Sequence, residues 1–261
     1  MDNNLEWKIV CLEHDNPSIA IADLFKRLWP EKVDILNIDC ETEISKENLK
    51  KQIKSLKIPA NKKILFTLGH GCRHHYTYGF TTIIADKLSQ GYTYIHFDHH
   101  TDYLSHNEHV SCGRFVKSLV KDSNAIEPLL VGCGVNDLTT IKQIRGWHPF
   151  QNDELENHLL NLPDDVYISF DLDVLRPEII CTGYSQGYME LSTLKKFIEI
   201  IKTKKRIIGA DIIGSSFKWD NSGHFVYAGI ASRILGLDNT PLTQEFNKYP
   251  KIPEFYKSFF N

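Results

Sequence analysis

Acidic and imidazole side chains are concentrated in the segment His96 to Asp102. Within it, Asp98, His100 and Asp102 are spaced i, i+2 and i+4, so an extended or tightly turned chain can direct all three into one pocket. Carboxylate oxygens with an imidazole nitrogen suit Mn²⁺, Fe²⁺ or Zn²⁺, whereas Mg²⁺ and Ca²⁺ prefer oxygen alone. The spacing predicts a metal site, and a solvated polar loop is the alternative.

A second acidic pair, Asp171 and Asp173, follows the apolar run Val166 to Phe170. These residues close the strand, and alternation along it places both carboxylates on the same face. Two carboxylates at the buried end of a strand repel each other and lose hydration unless a cation compensates them. Because both acidic clusters follow predicted strands, we expect them to share one site.

Histidines in a third segment, Gly69 to His75, could complete the coordination. This segment also follows an apolar run, so it is expected at the same edge of a sheet. Five acidic and imidazole ligands plus one of these histidines exceed the needs of a single ion. The sequence therefore predicts two metal ions bridged by carboxylates.

The elements that must position these segments alternate between apolar, β-branched runs and stretches of helical period, which is typical of βαβ units and a mainly parallel sheet. The predicted strands are Lys8 to Leu12, Val33 to Ile38, Lys63 to Leu68, Tyr92 to Phe97, Ile126 to Val131, Val166 to Phe170 and Arg206 to Ile212. The predicted helices are Ser45 to Leu56, Thr81 to Gln90, Gly113 to Lys121, Glu154 to Leu160, Ser192 to Lys202 (with Ser192 as N-cap) and Tyr227 to Leu235. Ligands collect where parallel strands end at their carboxyl edge, so this arrangement suits the three clusters.

The bulk properties favour one cytoplasmic domain over residues 1–261. The 30 basic and 33 acidic residues are well mixed, which argues against nucleic acid or an anionic membrane as a partner. The six cysteines form no CxxC pair and are expected to be reduced. No leader or apolar membrane span is evident, and the proline-containing stretch from Asn239 to Asn261 is expected to wrap the surface.

Two of these motifs carry a family resemblance. The segment Asp98 to Asp102 resembles the Asp-x-His-x-Asp signature of arginases, agmatinases and formiminoglutamases, and Ser169 to Pro177 resembles their Ser-x-Asp-x-Asp-x-x-Asp-Pro signature. Gly71 to His74 resembles the family's Gly-Gly-Asp-His motif more loosely. The resemblance spans roughly residues 60 to 235 and implies a three-layer αβα fold of the arginase type.

The resemblance also implies a ligand set for two Mn²⁺ ions, with Fe²⁺ or Zn²⁺ as alternatives. One ion would be held by His74, Asp98, Asp102 and Asp171, and the other by Asp98, His100, Asp171 and Asp173. His70 and His75 are alternatives to His74. In the family a metal-bridging hydroxide attacks the carbon of a guanidinium, and Asp102 would pass the proton to the leaving amine.

The chain departs from the family at the position of its proton-relay histidine, where Cys112 stands. Cys112 is interpreted either as a small core residue or as a thiol whose pKa is lowered at a helix N-terminus. His106 or His109 could supply the missing relay, although each could equally be a surface histidine.

A further departure affects substrate recognition. Gly214 stands where arginases carry a glutamate that faces the guanidinium. Asp211, Asp220 or Glu190 could replace that acid, or the substrate is not a guanidine. Arg176 replaces the second aspartate of the Asp-x-x-Asp-Pro pattern, and Thr182 keeps the family's substrate-loop position.

The leading hypothesis is a hydrolase of linear amidines that acts on free or peptide-bound arginine, giving ornithine and urea. It would be a homo-oligomer if it follows many relatives. A metal-dependent amide hydrolase of the deacetylase type is the alternative enzyme, and its site needs only one metal. The third hypothesis is a catalytically inert metal-binding relative.

Overall fold

The computed structural model describes residues 5–59, 61–88, 90–104, 108–134, 142–144, 152–215, 221–251, 253 and 255–260. Its strands are β1 Trp7–Glu13, β2 Val33–Asn37, β3 Glu43–Ser45, β4 Lys63–Thr67, β5 Tyr92–Phe97, β6 His109–Ser111, β7 Ala125–Val131, β8 Lys142–Ile144, β9 Asp165–Asp171 and β10 Arg206–Ile213. Eight of these strands form a parallel sheet in the order β2-β1-β4-β10-β9-β5-β7-β8, and β3 pairs with β6 in a separate antiparallel ribbon.

Helices connect the strands of the main sheet and cover both of its faces. Within the described residues they are α1 Asn16–Leu28, α2 Lys46–Ser55, α3 Tyr76–Ala85, α4 Val116–Asp122, α5 Asn152–Leu160, α6 Leu191–Lys204, α7 Asn221–Leu235, α8 Thr240–Phe246 and α9 Phe255–Phe260. None of them is long and apolar enough to cross a membrane. Parallel strands require such crossover connections, and the helices supply them.

Two apolar cores lie on opposite faces of the sheet. One packs α1 and α5 to α9 against the sheet, and the other packs α2, α3 and α4 against it. This arrangement confirms the predicted three-layer αβα fold with a mainly parallel sheet. Burying both faces also explains why the strand sequences are continuous apolar runs without alternation.

The structure differs from the predicted elements in places that have physical causes. Helix α3 begins at Tyr76, five residues before the predicted Thr81. The prediction misplaces its start because nearly all of its residues are buried, so no amphipathic stripe marks the helical period. The predicted N-cap Ser192 is wrong: the cap is Glu190. Helices α1, α8 and α9 and strands β3, β6 and β8 were not predicted. The short strands fall below the length at which periodicity is informative. Helix α1, in contrast, begins with a capping box formed by Asp15 and Ser18, which is a signal for the start of a helix.

The order of strands places the acidic clusters side by side. Strand β9 lies between β5 and β10 in the sheet, and β10 lies next to β4. Residue pairs such as Phe97 and Phe170 are in register, so β5 and β9 end at the same level. The segments that follow β4, β5, β9 and β10 consequently meet at one edge of the sheet.

Candidate metal centre

His74 reaches this edge from a 3-10 turn, Gly71–Arg73, between β4 and α3. Its ring is buried, and Nδ1 lies 3.1 Å from Oδ2 of Asp98, 3.2 Å from Oδ2 of Asp102 and 3.4 Å from Oδ2 of Asp171. Among the described residues Nδ1 has no hydrogen-bond partner of suitable geometry. A buried ring nitrogen facing three carboxylate oxygens is a donor set that fits a divalent cation.

His100 forms a second group with the same Asp98. Its Nδ1 lies 2.8 Å from Oδ2 of Asp173 and 3.4 Å from Oδ1 of Asp98. The backbone N–H of His99 donates to Oδ1 of Asp173 at 2.9 Å, which holds that carboxylate in place. Asp98 thus presents one oxygen to His74 and the other to His100, the arrangement expected of a carboxylate that bridges two ions.

The backbone after β9 presents Asp171 and Asp173 together, although not by strand alternation. The strand ends at Asp171, and a 3-10 turn over Leu172–Val174 follows. The N–H of Asp173 donates to Oδ1 of Asp171 at 3.0 Å. The expectation that alternation aligns the two carboxylates is therefore wrong, because the turn brings them together.

Asp102 enters the group through an unusual backbone conformation. Its φ is +48°, in the left-handed region that aspartate tolerates better than most residues. The carboxylate is buried, and its pKa is raised to about 6, first by burial and then by the charge of Asp98. Strain of this kind is kept where the surroundings fix it, and it clusters at functional sites.

The buried carboxylates of this group are stable together only if positive charge lies close to them. Burial, and next the charge of Asp171, raises the pKa of Asp173 well above its usual range. Burial also opposes ionisation of Asp98, but the charge of His96 and hydrogen bonds from His100 and His74 hold its pKa well below the ordinary value. Carboxylates buried this closely are costly unless cations neutralise them. The residues therefore fit a pair of divalent ions.

A cavity of about 200 Å³ opens onto this group. Five of the six predicted metal ligands line it, with His74 lying behind them, and Cys112, Gly113, Gly71 and Tyr184 complete its described wall. A larger groove of about 590 Å³ lies at the opposite, amino-terminal ends of β4, β9 and β10, but the described residues of its walls include no comparable group of ligands. Among the described residues, the candidate metal ligands therefore line the smaller cavity and not the groove.

A sequence model of the Arginase family matches residues 23–235. The chain belongs to the arginase family. Among solved structures, it resembles arginase from Bacillus cereus, at TM-score 0.65 and 16% identity over 89% of this chain and 99% of that one. It also resembles a hypothetical agmatinase from Burkholderia thailandensis, at TM-score 0.64 and 17% identity over 94% and 88% of the two chains. Proclavaminate amidino hydrolase from Streptomyces clavuligerus matches at TM-score 0.66 and 13% identity over 89% and 91%. No curated protein sequence matches the chain.

Among the three histidines considered for the Gly-Gly-Asp-His position of this arginase-family chain, His74 directs its Nδ1 at the carboxylates of Asp98, Asp102 and Asp171. His70 uses Nδ1 to accept a hydrogen bond from the N–H of Cys72 at 3.2 Å. His75 is fully buried, and its pKa is lowered to about 3, first by burial and then by the charge of Arg73. The geometry supports His74 as the ligand.

The two residues considered for the family's proton relay lie in different places. Cys112 lines the cavity, but burial, and next the charge of Asp102, raises the pKa of its thiol. Helix α4 begins only at Val116, so Cys112 is not at the helix N-terminus, and the low-pKa thiol is not supported. His109 is exposed on β6 and does not line the cavity. His106 lies outside the described residues.

Three of the candidate substrate groups, Asp211, Thr182 and Glu190, do not line the described wall of the cavity. Asp211 is fully buried on β10, where it accepts hydrogen bonds from the hydroxyls of Tyr167 and Ser169, so it is not a substrate-facing acid. Thr182 is fully buried, and its Oγ1 accepts from the N–H of Tyr184 at 3.4 Å, which supports the loop that carries Tyr184. Glu190 pairs with Arg176, and Asp220 lies outside the described residues.

Gly214 follows β10 with φ of +103°. A Cβ atom there would lie 2.3 Å from Oδ1 of Asp171 and 2.7 Å from the backbone N of Leu172. The family's glutamate therefore cannot occupy this position without a shift of Asp171, a candidate metal ligand. The close packing of Asp171 and Leu172 around position 214 therefore favours glycine over the family's glutamate.

Sequence reasoning missed His96, which lies on β5 beside the candidate ligands. Its Nε2 lies 3.1 Å from Oδ2 of Asp98, and its Nδ1 lies 2.8 Å from the hydroxyl of Tyr94. Nitrogen and oxygen atoms of His74, His96, Asp98 and Asp102 all lie within 4.8 Å of one another. Strand alternation, which puts residues 96 and 98 on one face, is the signal that could have identified it.

Proposed function

We propose that this arginase-family protein is a binuclear, manganese-dependent hydrolase of the ureohydrolase type, which cleaves a guanidino C–N bond. The observation that carries the proposal is the position of Asp98. Its two oxygens face His74 and His100 separately, at 3.1 and 3.4 Å, at the base of one cavity. A carboxylate shared in this way supports two ions and argues against the single ion of a deacetylase-type site.

The ligand set expected from the family fits these positions. One ion would be held by His74, Asp98, Asp102 and Asp171, and the other by Asp98, His100, Asp171 and Asp173. Nitrogen and carboxylate donors in this ratio suit Mn²⁺, with Fe²⁺ and Zn²⁺ as the competing ions. When bound, the ions supply Lewis acidity and make a hydrolytic nucleophile available near neutral pH.

Asp102 is the residue that we expect to move the proton. Its carboxylate lines the cavity beside the position where the ions would lie, so it is placed to exchange a proton with the nucleophile and the leaving group. It can therefore accept a proton during attack on the C–N carbon and donate it to the leaving amine. Free or peptide-bound arginine is the first substrate to test, with ornithine and urea as products.

The packing at Gly214 favours a second substrate class. A side chain cannot extend from this position toward a guanidinium without displacing Asp171, because a Cβ atom would lie 2.3 Å from its Oδ1. A guanidinium that loses its hydration without an opposing carboxylate is costly. An uncharged amide or a formimino group avoids that cost, so these compounds belong beside the guanidines in the assay.

The decisive experiment combines elemental analysis after Mn²⁺ loading with a turnover assay. Arginine, agmatine and an arginine-containing peptide are assayed for urea, and amides and formimino compounds for released amine or ammonia. We expect about two ions per chain, and turnover that Asp102→Asn abolishes. Asp164→Asn is the matched control, since this aspartate is exposed at the opposite edge of the sheet.

The remaining outcomes separate the alternatives. One ion per chain with amide cleavage would favour the deacetylase-type enzyme. Two ions with no turnover of any compound would leave an inert metal-binding relative. Failure to bind any metal would overturn the proposal. Cytoplasmic location and a homo-oligomeric state stay predictions from the sequence.

A further inference from the structure

A chain of buried hydrogen bonds leads away from the candidate metal centre, starting at Nε2 of His74, the ring nitrogen that does not face the carboxylates. Nε2 of His74 lies 2.8 Å from Oγ of Ser169, which donates to Oδ1 of Asp211 at 2.7 Å. Oδ2 of Asp211 accepts a further bond from the hydroxyl of Tyr167 at 2.8 Å. His74 is 1% exposed and the other three side chains are fully buried, so water does not compete for these bonds.

The register of two strands fixes this arrangement. Tyr167 and Ser169 lie two positions apart on β9 and project to the same face. Asp211 on β10 is paired directly with Ser169, and the parallel pairing continues beyond it to Ile213 and Asp171. The hydroxyl that contacts His74 is therefore held on the same strand as Asp171, whose carboxylate faces the other nitrogen of that ring.

Counting protons determines the direction of each bond. A serine hydroxyl has one proton, and Ser169 uses it to reach the Asp211 carboxylate. Its oxygen must then accept from His74, which places a proton on Nε2 and leaves the lone pair on Nδ1. That lone pair faces Asp98, Asp102 and Asp171, where a metal ion would bind.

We propose that Asp211 is a positioning residue of the metal centre, which acts through Ser169 to hold His74 with its proton on Nε2 and its Nδ1 lone pair facing the ions. This inference rests on the metal site of the proposed function but not on its substrate. It gives Asp211 a defined task, in place of the substrate contact expected from the sequence. Partners of this kind, one shell beyond the ligands, tune affinity by about 10- to 100-fold.

The test is Asp211→Asn, which keeps the size of the side chain and reverses the chain of bonds. An amide that accepts from Tyr167 offers its NH₂ group to Ser169, so the serine proton turns toward Nε2 and the histidine proton moves to Nδ1. We expect two Mn²⁺ ions in the wild type. In the variant, one ion should bind about 10- to 100-fold more weakly while the other keeps its affinity. Competition with a fluorescent chelator measures both affinities.

Tyr92→Phe is the matched control. Its hydroxyl is buried on the neighbouring strand β5 and bonds to Ser123 at 2.7 Å, away from the metal ligands. This variant loses a buried hydrogen bond of the same kind, so a merely destabilised fold would show itself in both proteins. Equal two-ion binding by Asp211→Asn and wild type would overturn the inference while leaving the proposed function intact. Failure of the wild type to bind metal would overturn both.

A measurement on the unmutated protein keeps the inference testable if Asp211→Asn does not fold. In Zn²⁺-loaded protein labelled with ¹⁵N-histidine, the long-range proton–nitrogen spectrum distinguishes the two ring nitrogens. We expect His74 to show a proton on Nε2 and metal coordination at Nδ1, with its signals identified by their loss in His74→Gln. A His74 ring without a proton on Nε2 would contradict the inference.

Discussion

Nδ1 of His100 lies 2.8 Å from Oδ2 of Asp173, although the two residues are 73 positions apart and follow different strands. Their contact joins the loop after β5 to the 3-10 turn after β9. The backbone of His99 also bonds to Asp173, so the turn and the loop are fixed to each other twice. The candidate ligands His100 and Asp173 depend on this junction for their relative position.

The first prediction concerns the removal of His100, a proposed metal ligand. His100→Asn should lower the metal content from two ions per chain to one, because His74 and its neighbouring carboxylates remain. Turnover should fall by more than about 100-fold, since loss of a ligand exceeds the effect of a residue one shell beyond. Elemental analysis and the amine-release assay measure these effects. His158→Asn on α5 is the control, and retention of two ions by His100→Asn would contradict the assignment.

The second prediction concerns Gly214. Gly214→Ala forces a side chain into the left-handed region and against Asp171, so the variant should lose stability and bind metal weakly. Gly236→Ala is a matched control, because Gly236 also has a positive φ of +65° but no atom lies within 4 Å of its Cβ position. Both should lose about 1–2 kcal/mol from the backbone, and Gly214→Ala about 1–3 kcal/mol more from the close contact. Denaturant unfolding of both variants separates the two contributions.

The equality of the two glycine variants would show that the site can relax around a side chain at position 214. In that case the family's glutamate could be restored there, and Gly214→Glu should be assayed with arginine. A selective loss of metal in Gly214→Ala would instead show that the glycine and the position of Asp171 depend on each other.

The group of candidate ligands could be located from the sequence because the information for it is local. Asp98, His100 and Asp102 lie within five residues, and the apolar run before them identifies a buried strand that must end there. The same reasoning found Asp171 and the turn that carries His74. Strand ends meet at one edge of a parallel sheet whatever the strand order, so no knowledge of the topology was needed.

Features that depend on pairing between distant segments could not be predicted in this way. The role of Asp211 follows from its register with Ser169, which lies 42 positions earlier. Helix α3 was misplaced because it is buried almost all round, so its sequence has no polar face to mark the period. Asp173 reached the site through a 3-10 turn that alternation along a strand does not reveal.

The third prediction concerns the pH dependence of stability, through His75. Its pKa is lowered to about 3 in the folded chain, first by burial and then by Arg73, against an ordinary value of 6.5. The unfolded chain therefore binds more protons between these values, so stability is complete above about pH 6.5 and falls as the pH decreases toward 3. His75 alone should cost about 1 kcal/mol at pH 5.5 relative to neutral pH.

His75→Gln isolates this contribution, because glutamine does not titrate and all other groups are shared with the wild type. Urea unfolding of the metal-free proteins at pH 7.5 and 5.5 should show a smaller loss of stability in the variant. Equal losses in the two proteins would mean that His75 is protonated without penalty and is not shielded from water as its burial requires.

The fourth prediction tests whether Cys112 is a reactive thiol. Burial, and next the charge of Asp102, raises its pKa, so little thiolate is present near neutral pH. Cys181 is exposed and provides an internal reference in the same chain. In the metal-free protein, iodoacetamide at pH 7.5 should alkylate Cys181 first, with Cys112 slower by about tenfold or more. Peptide mapping by mass spectrometry at successive times gives both rates, with Cys181→Ser to show that labelling at one site does not alter the other.

Faster labelling of Cys112 would restore the lowered-pKa thiol as a catalytic group. Slow labelling would mean that Cys112 is a neutral part of the cavity wall. Turnover should then be lost only as Cys112 itself becomes alkylated.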